Sequence, residues 1–173
     1  MTDAGDTAPD RIVGQLEALG QPYELIPCDP DLADTALFCE AYGYELADSA
    51  NTIVVVGKSE PRVYAACVVL ADSRLDVNGV VRKRLGTRKA SFASAQETAD
   101  LTGMVIGGVT AVGLPSDLSL WIDARVMERE QVVLGGGSRD RKIVAPPGLL
   151  RHVANAEVVE GLARPAASGN ASR

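Results

Sequence analysis

Apolar residues recur at helical spacing at Ile12, Leu16 and Leu19 and stop at Gly20, which predicts an amphipathic first helix closed by a glycine. Pro22 forces an extended exit, and residues 23–26 read as a short strand. Asp31 or Asp34 is placed to cap a second helix whose apolar face carries Leu37, Phe38 and Ala41 and which ends before Gly43. Residues 52–56 and 63–70 are dense in β-branched side chains, with turn material from Gly57 to Pro61 between them, so the two runs predict a hairpin. Their near-continuous apolarity predicts burial on both faces.

Asp76 is followed by Val77, Val80, Val81 and Leu85, the inward face of a third helix that Gly86 ends. Arg82, Lys83 and Arg84 fall in its last turns, where cations suit the helix dipole. Ser94 and Glu97 match a capping box, which predicts a fourth helix to Thr102 with Gly103 as its stop. Residues 107–115 hold too much glycine for a regular element, and strands are predicted at 118–123, 131–134 and 142–145. Pro146 and Pro147 introduce a last short helix at 148–153, with 157–162 as its partner segment. Residues 164–173 lack apolar periodicity and read as a flexible tail. Short strands mixed irregularly with helices predict an α+β fold rather than a doubly wound sheet.

A chain of 173 residues suits one domain, here spanning residues 1–163. Hydrophobic residues make up 46% and charged residues 23%, enough apolar side chain to build a core, which excludes disorder for the body of the chain. No apolar run approaches the roughly 20 residues that cross a bilayer. The acidic start lacks the basic-then-apolar plan of a signal peptide, so a cytoplasmic protein without a membrane partner is expected. Cys28, Cys39 and Cys67 are odd in number, widely spaced and without a CxxC pair, which suggests neither a disulfide framework nor a metal site. The net charge of −6 argues against broad, sequence-independent binding of nucleic acid. Within residues 82–89, however, Arg82, Lys83, Arg84, Arg88 and Lys89 are basic, a local phosphate-facing patch or else a solvated helix face.

The familiar catalytic constellations are missing. The chain has one histidine, His152, and no GxSxG, HExxH, Walker loop or strand-linked GxGxxG, so neither a histidine-based triad nor a cofactor is expected. Two glycine clusters remain: Gly107, Gly108 and Gly113 in one, Gly135, Gly136 and Gly137 followed by Ser138 and Arg139 in the other. Such loops let a backbone approach a ligand and aim amide N–H groups at an anion or a developing oxyanion; they also serve as plain tight turns.

The order of these features resembles the YbaK/prolyl-tRNA-synthetase-associated family. The resemblance is carried by Asp34-Thr35-Ala36, Asn51-Thr52-Ile53-Val54-Val55, Arg74-Leu75-Asp76-Val77, Leu85-Gly86-Thr87-Arg88-Lys89, the stretch from Thr102-Gly103 through Gly107-Gly108-Val109-Thr110-Ala111-Val112-Gly113, Trp121-Ile122-Asp123, and Gly136-Gly137-Ser138-Arg139. It implies a mixed sheet curled toward a barrel with helices around it, and a pocket for the 3′ end of a mischarged tRNA. It further implies hydrolysis of the ester to a wrong amino acid, commonly cysteine or alanine on proline tRNA, with an aminoacyl-tRNA synthetase as a possible partner. A ribose hydroxyl or the substrate's own side chain would stand in for a protein nucleophile.

By the same resemblance Asn51, Gly107 and Gly108 occupy the catalytic positions, the glycine amides serving as oxyanion donors. Thr35 matches the pocket wall, Thr110 and Gly113 the loop, Asp123 the floor, and Gly136, Ser138 and Arg139 the opposite wall. Arg82, Lys83, Arg84, Arg88 and Lys89 would face the tRNA acceptor phosphates. Two departures stand out: Asn51 replaces the lysine that precedes the first long strand in active members, and Ala111 replaces a loop proline. An amide supplies hydrogen bonds but no positive charge. A binding module without turnover is therefore the alternative reading.

Overall fold

The structure, a computed structural model, describes residues 8–166. Four α-helices and ten strands follow the order α1 (Ala8–Leu19), β1 (Glu24–Pro27), α2 (Thr35–Tyr42), β2 (Ala50–Gly57), β3 (Val63–Leu70), β4 (Ser73–Leu75), α3 (Arg82–Leu85), β5 (Ala90–Phe92), α4 (Ala95–Thr102), β6 (Ser119–Asp123), β7 (Val132–Gly135), β8 (Arg141–Ala145), β9 (Ala156–Val159) and β10 (Ala163–Pro165). The architecture is mixed α+β. The strands divide into three ladders, β5-β2-β3-β6-β9, β1-β8-β7 and β10-β4, rather than one curled sheet. The large sheet is antiparallel across β5, β2 and β3 and parallel across β3, β6 and β9. A single bridge between Ser49 and Val133 hooks the three-stranded sheet onto the start of β2.

Strand β3 shows why its sequence is apolar throughout. Ala66, Val68 and Leu70 face one core, with Ile12 and Leu16 of α1 and Val132, Leu134, Ile143 and Ala145 of the small sheet. Ala65, Cys67 and Val69 face a second core, with Leu75, Val81, Trp121 and Leu162. A period of two therefore feeds two cores from one strand. Each fully buried Val, Leu or Ile contributes roughly 1.5–3 kcal/mol, so the central strands carry much of the stability. The other face of the small sheet packs Val133 and Val144 against Phe38 and Cys39 of α2.

The caps follow the local chemistry. Gly20, Gly43, Gly86 and Gly103 all adopt positive φ at helix ends. The Ser94–Glu97 capping box is formed on both sides. Asp76 accepts from Gly79 N and Val80 N, but the predicted third helix begins as a π-turn over Val77–Val81 before α3. Asp34 occupies the N-cap position of α2 without a side-chain cap bond, while Asp29 caps the short turn Pro30–Leu32. Segment 157–162, expected to partner the last helix, begins in β9, which pairs in parallel with β6 and also packs against the short 3-10 helix Pro147–His152. Arg164 and Pro165, assigned to the tail, pair with Arg74 and Ser73 in β10, because backbone pairing needs no apolar periodicity. The rest of the expected tail, 167–173, lies outside the described residues.

Candidate functional site

A cleft of about 320 Å³ opens where the two larger sheets meet. Its wall is assembled from Ala33, Asp34 and Thr35 at the start of α2, Asn51 to Val54 on β2, Phe92 and Ala93 at the end of β5, Thr98 on α4, Ile106, Gly107 and Val109 in the first glycine loop, and Gly135 and Lys142 on the small sheet. Thr35 is the first residue of α2, and its Oγ1 donates to Asn51 Oδ1 at 2.7 Å. With that oxygen occupied, the Asn51 NH2 is the donor left for a ligand. Phe92 and Ile106 remain more than half exposed at the mouth.

Lys142 reaches the same cleft from the small sheet. It lies on β8 between Ile26 of β1 and Gly135 of β7, and only 5% of it is exposed. Its Nζ donates to Ala33 O at 2.7 Å and Gly107 O at 3.2 Å and sits 5.4 Å from the centroid of the Phe38 ring. Burial pushes its pKa below the ordinary lysine value; Arg139 adds to the shift, whereas Cys28, Asp34 and Cys39 oppose it. Burial in turn raises the Cys28 and Cys39 thiols, so at neutral pH they carry no charge to balance the ammonium. Asp34, the nearby carboxylate, pairs with Arg139 at 3.3 Å.

The two glycine clusters do come together, but they lock onto each other. Gly137 N donates to Gly108 O at 2.7 Å, and Gly108 N donates to Val105 O at 2.9 Å. A Cβ at Gly108 would sit 2.7 Å from the Ser138 backbone, and one at Gly135 only 2.1 Å from Val109 O. The absent side chains thus serve loop-on-loop packing, and the Gly108 amide expected as an oxyanion donor is committed within the fold. Gly107 lines the cleft and presents its carbonyl to Lys142.

Several expected site residues lie elsewhere. Gly113 donates to Gln15 Oε1 of α1 at 3.1 Å, away from the cleft. Thr110 is fully buried in the core with its Oγ1 unpartnered. Asp123 is 1% exposed and accepts from Ala163 N at 3.3 Å, tying β6 to β10, and burial raises its pKa. Gly136 O accepts from Arg141 Nε, and Ser138 bonds Asp140. Arg139 shapes the rim from outside the wall, binding Pro30 O, Ile106 O and Asp34, and so clips the entry to α2 onto the glycine loop.

The basic stretch splits in two. Arg84 pairs with Glu157 and lies 4.9 Å over the Trp121 ring, and Arg82 bonds Asn78 O and Thr87 O. Lys83, Arg88 and Lys89 are exposed, and the last two run directly into β5, whose end forms the cleft mouth.

Residues 29–152 match the aminoacyl-tRNA editing domain family. The chain belongs to that family. Every residue of the cleft wall falls within the matched span of this editing domain. It is 22% identical over 157 residues, covering 90% of this chain and 93% of the relative, to the multifunctional Ser/Thr-tRNA deacylase ProXp-y of Escherichia coli K12. Among solved structures, a protein assigned as a trans-editing enzyme for prolyl tRNA synthetase superposes with TM-score 0.76 at 24% identity, over 90% of this chain and 96% of that one. The hypothetical protein APE2540 superposes with TM-score 0.79 at 24% identity, over 89% and 99%. These superpositions establish the fold of the editing domain. Nothing in the sequence pattern singles out Phe92, whereas the lysine that opens the otherwise apolar 142–145 run is a usable signal for Lys142.

Proposed function

We propose that this protein is an aminoacyl-tRNA deacylase acting in trans, and that the cleft between the sheets receives the acylated 3′ end. The observation that carries this reading is a cleft built wholly within the editing-domain span, lined by the hydrogen-bonded pair Asn51 and Thr35 and by Lys142 from the small sheet. Its volume of about 320 Å³ is at the small end of ligand sites and suits a compact aminoacyl group with its ribose.

Among the described residues the wall holds no cysteine, serine or histidine. A water molecule attacks the ester carbonyl, and its proton is relayed through the free ribose hydroxyl, or the substrate's own polar group, to the leaving ribose oxygen. The C–O bond to the ribose breaks, and the leaving oxygen is protonated. Asn51 donates to the carbonyl oxygen, and Thr35 fixes which end of the amide faces it. Phe92 offers a ring at the mouth for the terminal base, and Lys83, Arg88 and Lys89 offer cations for the acceptor phosphates. Such a protein works in the cytoplasm on tRNA released by, or still held near, a synthetase.

Small amino acids are the substrates this cleft suits: cysteine or alanine on proline tRNA, and serine or threonine as for ProXp-y. Differences of one methylene give only about 1–3 kcal/mol of discrimination, so more than one should be accepted. Purified protein assayed on a panel of mischarged tRNAs is expected to release at least one amino acid well above the uncatalysed rate; loss of none of them refutes the proposal. The alternative, a binding module without turnover, is favoured by the neutral Asn51 and predicts saturable binding of a non-hydrolysable aminoacyl-adenosine with no release.

A further inference from the structure

Lys142 presents a physical problem that hydrogen bonding to the fold does not resolve. A nearly buried ammonium ordinarily has a carboxylate beside it, because an unpaired charge removed from water is costly. Among the described residues Lys142 has no ion-pair partner: two backbone carbonyls and the face of the Phe38 ring hold it, and Asp34 is turned to Arg139. Those carbonyls take two of three N–H donors, which leaves one without a protein acceptor on a side chain that forms part of the cleft wall. Gly135, its neighbour across the strand pair, has no side chain to cover it. The cleft wall contains two charged residues, Asp34 and Lys142.

We propose that Lys142 supplies, from the small sheet, the positive charge that Asn51 does not supply from β2, and that its third N–H meets the ester oxygen on which negative charge develops. This rests on the deacylase reading. The carbonyl oxygen then lies between the Asn51 NH2 and the Lys142 ammonium. The Ala33 and Gly107 carbonyls hold that ammonium in place before substrate arrives, so little reorganisation accompanies the reaction. A purely structural tie between the two loops would need hydrogen bonds but no charge.

The test is a charge relocation. Lys142→Met preserves length and removes charge; kcat is expected to fall about 100- to 1000-fold, the range for loss of one oxyanion donor. The alkaline decline of the wild-type rate, set by an ammonium facing Cys28, Cys39, Asp34 and Arg139, should disappear with it. Asn51→Lys in the Lys142→Met background should recover at least tenfold. Asn51→Lys alone should lower kcat/KM, because it places two ammonium groups in one cleft.

Lys142→Met with wild-type kcat and an unchanged alkaline limb overturns the inference, as does a large gain from Asn51→Lys alone. If Lys142→Met does not fold, the single Asn51→Lys variant decides by the sign of its effect. A wild type inactive on every charged tRNA overturns the deacylase reading and this inference together; an active wild type with an equally active Lys142→Met overturns this inference alone.

Discussion

Replacing Gly135 by alanine adds one methyl group where the cleft wall packs tightly against backbone. The new Cβ would lie 2.1 Å from Val109 O, 2.8 Å from Val109 C and 3.1 Å from Gly108 O, all backbone atoms that cannot rotate away. To restore ordinary contact at 3.4 Å, the end of β7 must retreat from the glycine loop by about 1.3 Å. Overpacking of this kind costs about 1–3 kcal/mol. The retreat also breaks the 2.7 Å bond from Gly137 N to Gly108 O, a further ~1 kcal/mol. A total of about 2–4 kcal/mol corresponds to a fall in Tm of roughly 5–15 °C for a chain of this size. Thermal and urea unfolding followed by circular dichroism measure it. Deacylation should fall as well, because β7 pairs with β8 and carries Lys142 away from Gly107 O. Gly14→Ala is the control: nothing lies within 4 Å of its Cβ position, and in the interior of α1 it should stabilise by about 0.5–1 kcal/mol. A Gly135→Ala protein within about 0.5 kcal/mol of wild type and fully active would refute the loop-on-loop packing, since surface changes away from such contacts stay within that range.

Phe92→Ala should raise KM for charged tRNA roughly 5- to 100-fold with kcat little changed, as loss of one stacked base of about 1–3 kcal/mol demands; steady-state kinetics would show a kcat effect instead if the ring served the chemistry. Thr110→Val removes a buried hydroxyl without a partner and should stabilise by about 1 kcal/mol in urea unfolding, with deacylation intact. Asp123 has a raised folded-state pKa, so its stabilising share is complete below the unfolded value and is lost as pH rises through the folded one. Asp123→Asn should therefore gain on wild type across that rise, and a urea midpoint difference that stays flat from pH 4 to 8 would contradict it. Combined substitution of Lys83, Arg88 and Lys89 by alanine should reduce the slope of log K against log salt for tRNA by about 2–3, as three phosphate contacts require.

Helix and strand identity was readable wherever local chemistry decided it. Gly20, Gly43, Gly86 and Gly103 marked real helix ends, and the Ser94–Glu97 box formed as written. Strands β4, β5 and β10 escaped because three-residue edge pairings leave no period to read. Thr35, Asn51 and Gly107 do share the cleft. Gly113, Thr110 and Asp123 do not, because glycine, threonine and aspartate serve loop closure and strand anchoring as readily as ligand binding, and only packing partners distinguish these uses. Lys142 was hidden for the converse reason: its strand looked like core, and its cleft exists only once the small sheet meets β2 through β7.

That cross-sheet origin constrains how the charge of the cleft can change. Asn51 and Lys142 reach the cleft from different sheets, so moving a cation from one to the other takes two substitutions. Either one alone leaves the cleft with no ammonium or with two, and both intermediates are worse than the endpoints. The two positions therefore act as one unit, and their single-variant effects will not add. Measured as a double-mutant cycle, Asn51→Lys and Lys142→Met should each lower activity, and the pair should be more active than the sum of the two single effects predicts. Thr35 belongs to the same unit, because its hydrogen bond to Asn51 Oδ1 is meaningful only while residue 51 carries an acceptor. A lysine there would leave the Thr35 hydroxyl to accept rather than donate, which its two lone pairs allow.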